Sequence, residues 1–117
     1  MTGVELANNK VVLSVSAPPD LSPGNYASRV TLVTLEKGGR SPAHKHGGIE
    51  SIYVLEGTLD LRMAGGARVI LNRGQGAAVP PGTVLQAVNG GDTVAKFLAF
   101  NLTSDEAPFM TGSDQAP

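Results

Sequence analysis

Apolar residues in this chain come in short alternating runs, cut at regular intervals by glycine, proline and asparagine. That rhythm admits strands and almost nothing else, because a helix needs apolar positions three and four apart over a longer stretch. Candidate strands cover 10–16, 29–36, 43–46, 51–55, 58–63, 68–71, 77–79, 85–88 and 94–101. None exceeds the roughly ten residues usual for a strand. Turn chemistry separates them at Ser22-Pro23-Gly24, Gly38-Gly39, Gly47-Gly48, Glu56-Gly57, Ala64-Gly65-Gly66, Asn72-Arg73-Gly74, Pro80-Pro81-Gly82 and Asn89-Gly90-Gly91-Asp92. From Gly38 onward the turns recur about every eight to ten residues, the spacing of an all-β sandwich or barrel.

Strand parity assigns faces. In 58–63, Leu59, Leu61 and Met63 share one side and are expected in the interior, while Thr58, Asp60 and Arg62 share the other, which is wet or paired. Ile52 and Val54 are expected to form an apolar wall. With 117 residues the chain can bury roughly two-thirds of its unfolded surface, enough for one core, so a single domain spans 1–117. No internal repeat or interior linker interrupts it. The stretch 104–117 reads as a polar tail in which Phe109 and Met110 dock locally.

Nine basic and ten acidic residues, scattered along the chain, give a net charge of −1 and no footprint for a nucleic-acid backbone or an anionic membrane. The start MTGVELANNKVVLSVS lacks the basic and apolar regions of a secretory signal, and no apolar run reaches bilayer length, so the expected location is the cytoplasm. With no cysteine, thiolate ligands, cysteine nucleophiles and disulfides are excluded.

The chemistry sits in GGRSPAHKHGGIESIYVLEG. It holds the chain's two histidines, His44 and His46, with Glu50 four residues on. In a strand the two imidazoles project to one side and Lys45 to the other. Glu50 has the same parity, but Gly47 and Gly48 turn the chain in between, so its convergence depends on the fold. Burying two imidazoles and a carboxylate is costly unless they are paired or coordinated, and nitrogen plus carboxylate donors suit a divalent transition metal. The alternative is a hydrogen-bonded polar cluster.

The spacing of the surrounding residues resembles the cupin superfamily. Gly38, five residues, His44-x-His46, three residues, Glu50, six residues and Gly57 match its first motif (38–57), and Gly74, five residues, Pro80-x-Gly82 and Asn89 match its second (74–89). One position departs: Leu85 stands where most metal-binding members carry a further ligand histidine. The resemblance covers residues 29–101. It implies a double-stranded β-helix, or jelly-roll barrel, of two antiparallel sheets, with Gly57, Gly74, Pro80 and Gly82 shaping turns. It also implies a site of His44, His46 and Glu50 for iron, manganese, nickel, zinc or copper, and a small-molecule substrate. A homodimer is expected, with the apolar 11–15 run docking on the partner. Gln86 becomes a fourth ligand only if a bulge reverses the local alternation. Gln86, Asn101, Tyr53 and Arg62 are the few polar residues in reach of a substrate, and each reads first as structural or exposed.

Two histidines and one carboxylate leave coordination positions open, the pattern of non-haem iron(II) oxygenases. The favoured expectation is therefore a metal-dependent enzyme, a dioxygenase or other oxidoreductase. A metal-dependent isomerase, lyase or cyclase is the alternative. A different class stands beside both: a non-catalytic small-molecule binder in which Leu85 marks the loss of the metal.

Overall fold

The computed structural model describes residues 10–16 and 23–117. They form nine strands: β1 (Tyr26–Leu35), β2 (His44–His46), β3 (Ile49–Glu56), β4 (Thr58–Met63), β5 (Arg68–Asn72), β6 (Gly76–Val79), β7 (Leu85–Val88), β8 (Ala95–Ser104) and β9 (Met110–Gly112). One sheet has the order β1-β8-β3-β6 and the other β5-β4-β7-β2-β9, and every ladder is antiparallel. This is the all-β double-stranded β-helix expected above. No helix among the described residues is long and apolar enough to cross a membrane.

The core lies between the sheets and follows the alternation. Leu59 and Leu61 are wholly buried, as are Ile52, Val54, Val79 and Leu85, with Leu71, Phe97 and Ala99 packed on them. Burying each such side chain contributes about 1.5–3 kcal/mol. Gly57 joins β3 to β4 with φ +76, a left-handed conformation that glycine adopts without a Cβ clash. Asn89 is buried and binds the ends of neighbouring segments: its Nδ2 donates to the carbonyls of Leu35, Glu36 and Thr93, and its Oδ1 accepts from Gly91 N–H. That is a structural reason for an asparagine at the end of the second motif.

Two expectations are corrected. Residues 10–16 form no strand, although their pattern is apolar and β-branched; Leu13 lies against Gly76, and Val11 and Val12 stay exposed. A strand needs a ladder partner, and alternation alone does not supply one. The expected tail, conversely, contains β9, which pairs with β2 through His44↔Gly112, Lys45↔Thr111 and His46↔Met110. β1 also begins earlier than expected and β8 ends later, because their ladder continues to Tyr26↔Ser104.

The outward residue Asp60 is buried and paired. Arg62 donates to its Oδ2 from Nε and Nη2, while Arg68 donates from Nε to Oδ1 and from Nη2 to Oδ2, at 2.8–3.1 Å. Burial pushes the Asp60 carboxyl up, but the Arg68 and Arg62 guanidiniums together outweigh it and hold the pKa below its usual 3.8. A depressed folded value contributes stability that is present above 3.8 and is lost as pH falls through the lower folded value. Asp60→Asn is therefore expected to cost about 1 kcal/mol near neutral pH, discounted for the exposed guanidinium ends. Denaturant titrations should show that difference shrink towards zero in strong acid. A loss independent of pH would mean that the ion pairs contribute nothing.

Candidate functional site

β2 is short, but its alternation is strict: His44 and His46 turn to the barrel interior and Lys45 to solvent. Gly47 and Gly48 then carry the chain from one sheet into the other. The bend is tight because backbone packs on backbone. A Cβ on Gly48 would overlap the Leu102 carbonyl, and one on Gly47 the Pro108 carbonyl. β3 thereby starts against β8, with Ile49 opposite Leu102 and Glu50 opposite Asn101. Glu50 thus faces the same cavity as the histidines.

His46 and Glu50 are almost fully buried and meet at 3.0 Å, Nε2 to Oε2. Glu50 Oε2 also accepts from Asn101 Nδ2 at 3.1 Å. The far nitrogens of both imidazoles are held by backbone carbonyls: His46 Nδ1 donates to Phe109 O at 2.8 Å and His44 Nδ1 to Pro42 O at 2.7 Å. A carbonyl only accepts, so each Nδ1 carries the proton and each Nε2 keeps its lone pair in the neutral ring. At His46 that lone pair faces a carboxylate oxygen. Two acceptors in contact require a shared proton or a cation.

These donor types suit a divalent metal. Anchoring the distal imidazole nitrogen to a carbonyl is how metal-binding histidines are oriented. Cis donors about 2.0–2.2 Å from one ion lie about 3 Å apart, close to the His46–Glu50 separation. Among the described residues, however, no three histidine or acidic side chains are drawn together as a ready metal-holding group. His44 stands edge-on to His46, with ring centroids 5.0 Å apart.

These polar groups line a cavity of about 270 Å³ whose other walls include Ile52, Leu85, Phe97, Phe109 and Met110. Leu85 lies directly across the ladder from His44 and is 2% exposed, so it takes the inward direction of the histidine it replaces. β7 keeps its alternation. Gln86 therefore faces away from the cavity and donates to Ser41 O at 3.0 Å, with no bulge to turn it inward. Of the other polar candidates, Arg62 is engaged with Asp60 and Tyr53 lines a different cavity on the outer face of the β1-β8-β3-β6 sheet. Only Asn101 reaches the site. That outer cavity is larger, about 470 Å³, but carries no histidine or acid. The Phe109 and Pro42 carbonyls could not be read from sequence, since every residue type offers a carbonyl; the apolar pair Phe109 and Met110 was the one local signal.

Fold and site together define a small jelly-roll barrel with a His, His, Glu cavity. The Cupin domain family matches residues 31–101, and the chain belongs to it. No curated protein matches the chain in sequence. Solved structures that resemble it include a cupin-like protein from Thermotoga maritima (TM-score 0.67, 22% identity, covering 74% of this chain and 64% of that one). An uncharacterised double-stranded β-helix protein from Klebsiella pneumoniae has TM-score 0.66 at 20% identity, covering 85% and 91%. The polyketide cyclase RemF from Streptomyces resistomycificus has TM-score 0.63 at 24% identity, covering 83% and 66%. The chain thus spans just under two-thirds of the first and third of these. At such identities the likeness speaks for the fold.

Proposed function

We propose that this cupin is a metal-dependent enzyme acting on a small, mainly apolar molecule, with His44 and His46 binding a divalent transition metal through Nε2 and Glu50 through its carboxylate. The observation that carries the reading is the pair of imidazoles whose Nδ1 atoms are held by carbonyls, leaving both Nε2 atoms as donors in one cavity with a buried carboxylate, His46 Nε2 in contact with it. The metal would supply Lewis acidity and, if iron, oxygen activation. The protein's own contribution is positional. The Phe109 and Pro42 carbonyls hold the imidazole rings, Asn101 holds Glu50, and Leu85 with Ile52 and Phe97 keeps water from the reacting end. At about 270 Å³ the cavity is just below the roughly 300–1,000 Å³ of pockets for drug-sized ligands, which favours a compact substrate.

A dioxygenase or related oxidoreductase is favoured, because two histidines and one carboxylate leave positions open for substrate and oxygen. The second reading, a metal-dependent isomerase, lyase or cyclase, draws support from the likeness to a polyketide cyclase. Turnover of candidate substrates under air and under nitrogen separates them. Loss of activity under nitrogen is expected; undiminished turnover without oxygen would replace the oxygenase reading with the second one.

The homodimer, expected to dock through the 11–15 run, is proposed to use with it the outer face of the β1-β8-β3-β6 sheet, beside which Val12, Leu13 and Val15 lie. Val30, Leu32, Phe100 and Leu102 are exposed there, and β1 is a ten-residue edge strand. Light scattering should give twice the mass of one chain. A monomer at high concentration would contradict the dimer.

A further inference from the structure

Each sheet has a free edge at the ligand cavity. β1 ends one sheet and β9 the other, and no ladder joins the two among the described residues. Thr31 and Val33 of β1 and Met110 of β9 wall the cavity from these edges. Arg29, also on β1, reaches across the seam: its guanidinium lies over the ring of Phe109, the residue just before β9, with Cζ 3.8 Å from the ring centroid. Arg29 stands in the row that carries the site, opposite Asn101, which is itself opposite Glu50.

Phe109 touches His46 twice. Its ring is tilted against the imidazole with centroids 4.9 Å apart, and its carbonyl accepts from Nδ1 at 2.8 Å. Little else secures this stretch: Pro108 O accepts from Gly47 N–H at 3.1 Å, and β9 is a three-residue edge strand, exposed throughout. The Arg29 guanidinium forms no ion pair with a carboxylate among the described residues, so its charge is committed to the ring face. A cation over an exposed aromatic face shifts an equilibrium by about two- to fivefold. The position of the Phe109 carbonyl matters because a neutral imidazole has one proton. Against the carbonyl, that proton stays on Nδ1 and the Nε2 lone pair is free; without it, the proton moves to Nε2, where Glu50 accepts it, and Nε2 is no longer a donor atom for a ligand.

We propose that Arg29 is a positioning residue of this cavity: by holding the Phe109 ring across the seam between β1 and β9, it keeps the Phe109 carbonyl on His46 Nδ1 and the His46 Nε2 lone pair directed at the site. This rests on the reading of the cavity as the ligand site. Arg29 touches no ligand and acts through Phe109 alone. His44 has a separate anchor, the Pro42 carbonyl, and does not depend on the clamp.

The test is exchange of the His46 Nδ1 proton with water, followed by NMR in the full chain freed of metal. The side-chain amide of Asn89, buried outside the cavity, reports any general loosening. Arg29→Gln, which removes the charge, is expected to speed exchange at His46 by about two- to fivefold and leave Asn89 unchanged. Arg29→Lys should recover most of the parent rate. Phe109→Leu keeps the carbonyl and loses the ring face, so in that background Arg29→Gln should have no further effect. Zinc affinity, read by competition with a chelator, should fall by the same factor in Arg29→Gln. Unchanged exchange at His46, equal acceleration at Asn89, or an effect of Arg29→Gln that survives Phe109→Leu overturns the clamp. Faster exchange with undiminished zinc affinity also overturns it, because the clamp would then not reach the donor atom. If the parent chain takes up no zinc, the metal reading falls, and the exchange rates alone decide the clamp.

Discussion

His46→Ala is expected to lower divalent-metal affinity by more than a hundredfold while the chain remains a β-barrel. The ring supplies Nε2 beside Glu50 and spends its Nδ1 proton on the Phe109 carbonyl, so the substitution removes a donor and its anchor together. Loss of an outer hydrogen-bonding partner alone costs about 10–100-fold at metal sites, and loss of a ligand should exceed that. The barrel should persist because Ile52, Leu59, Leu61 and their neighbours, not the polar end, form its core. Glu50 keeps its Asn101 hydrogen bond. His44→Ala should weaken metal binding comparably. Leu85→His should do the opposite, tightening the metal about tenfold, since position 85 lies opposite His44 and faces the cavity; it should also reduce or redirect turnover by occupying an open position. Gln86→Ala is the control and should leave metal content unchanged. Competition with a chromophoric chelator, together with circular dichroism, checks all four.

Gly48→Ala is expected to destabilise the fold by about 3 kcal/mol, the upper end of the cost of overpacking. The added Cβ would overlap the Leu102 carbonyl and come within 3.0 Å of Thr103 Cα. Those atoms belong to β8, which is held by ladders to β1 on one side and β3 on the other and has little freedom to retreat. The strain falls two residues before Glu50, so metal affinity should drop with stability. Gly65→Ala makes a useful contrast. Gly65 has φ +86 but open space around it, so that change should cost only the left-handed strain, about 1–2 kcal/mol. Urea denaturation of both variants gives the comparison. A Gly48→Ala protein as stable as the parent would mean that the close approach of β3 to β8 is not required.

Much of this was legible because period-two alternation is a local property. It placed Leu59 and Leu61 inside and put His44 and His46 on one face, as they stand in the barrel. What escaped depends on partners remote in sequence. Residues 10–16 carry a strand-like pattern yet meet no ladder, whereas Met110–Gly112 carries no pattern and becomes a strand because β2 offers an edge. The glycines at 47 and 48 read as a turn signal, but their necessity comes from Leu102 and Pro108, some sixty residues away along the chain. The carbonyls that orient the imidazoles were invisible for the same reason. Asn101 was visible as a polar residue in an apolar strand, and only the β3 to β8 register assigns it to Glu50.

The most direct test of the metal-site reading is the stoichiometry of bound metal in untagged protein purified without chelator, measured by elemental analysis and repeated after replacing His44 and His46 together with alanine. About one equivalent of a divalent transition metal per chain, lost in the double variant with the fold intact, is the predicted result. Metal-free parent protein that also fails to take up iron, manganese, nickel, zinc or copper, or metal retained by the double variant, would contradict it.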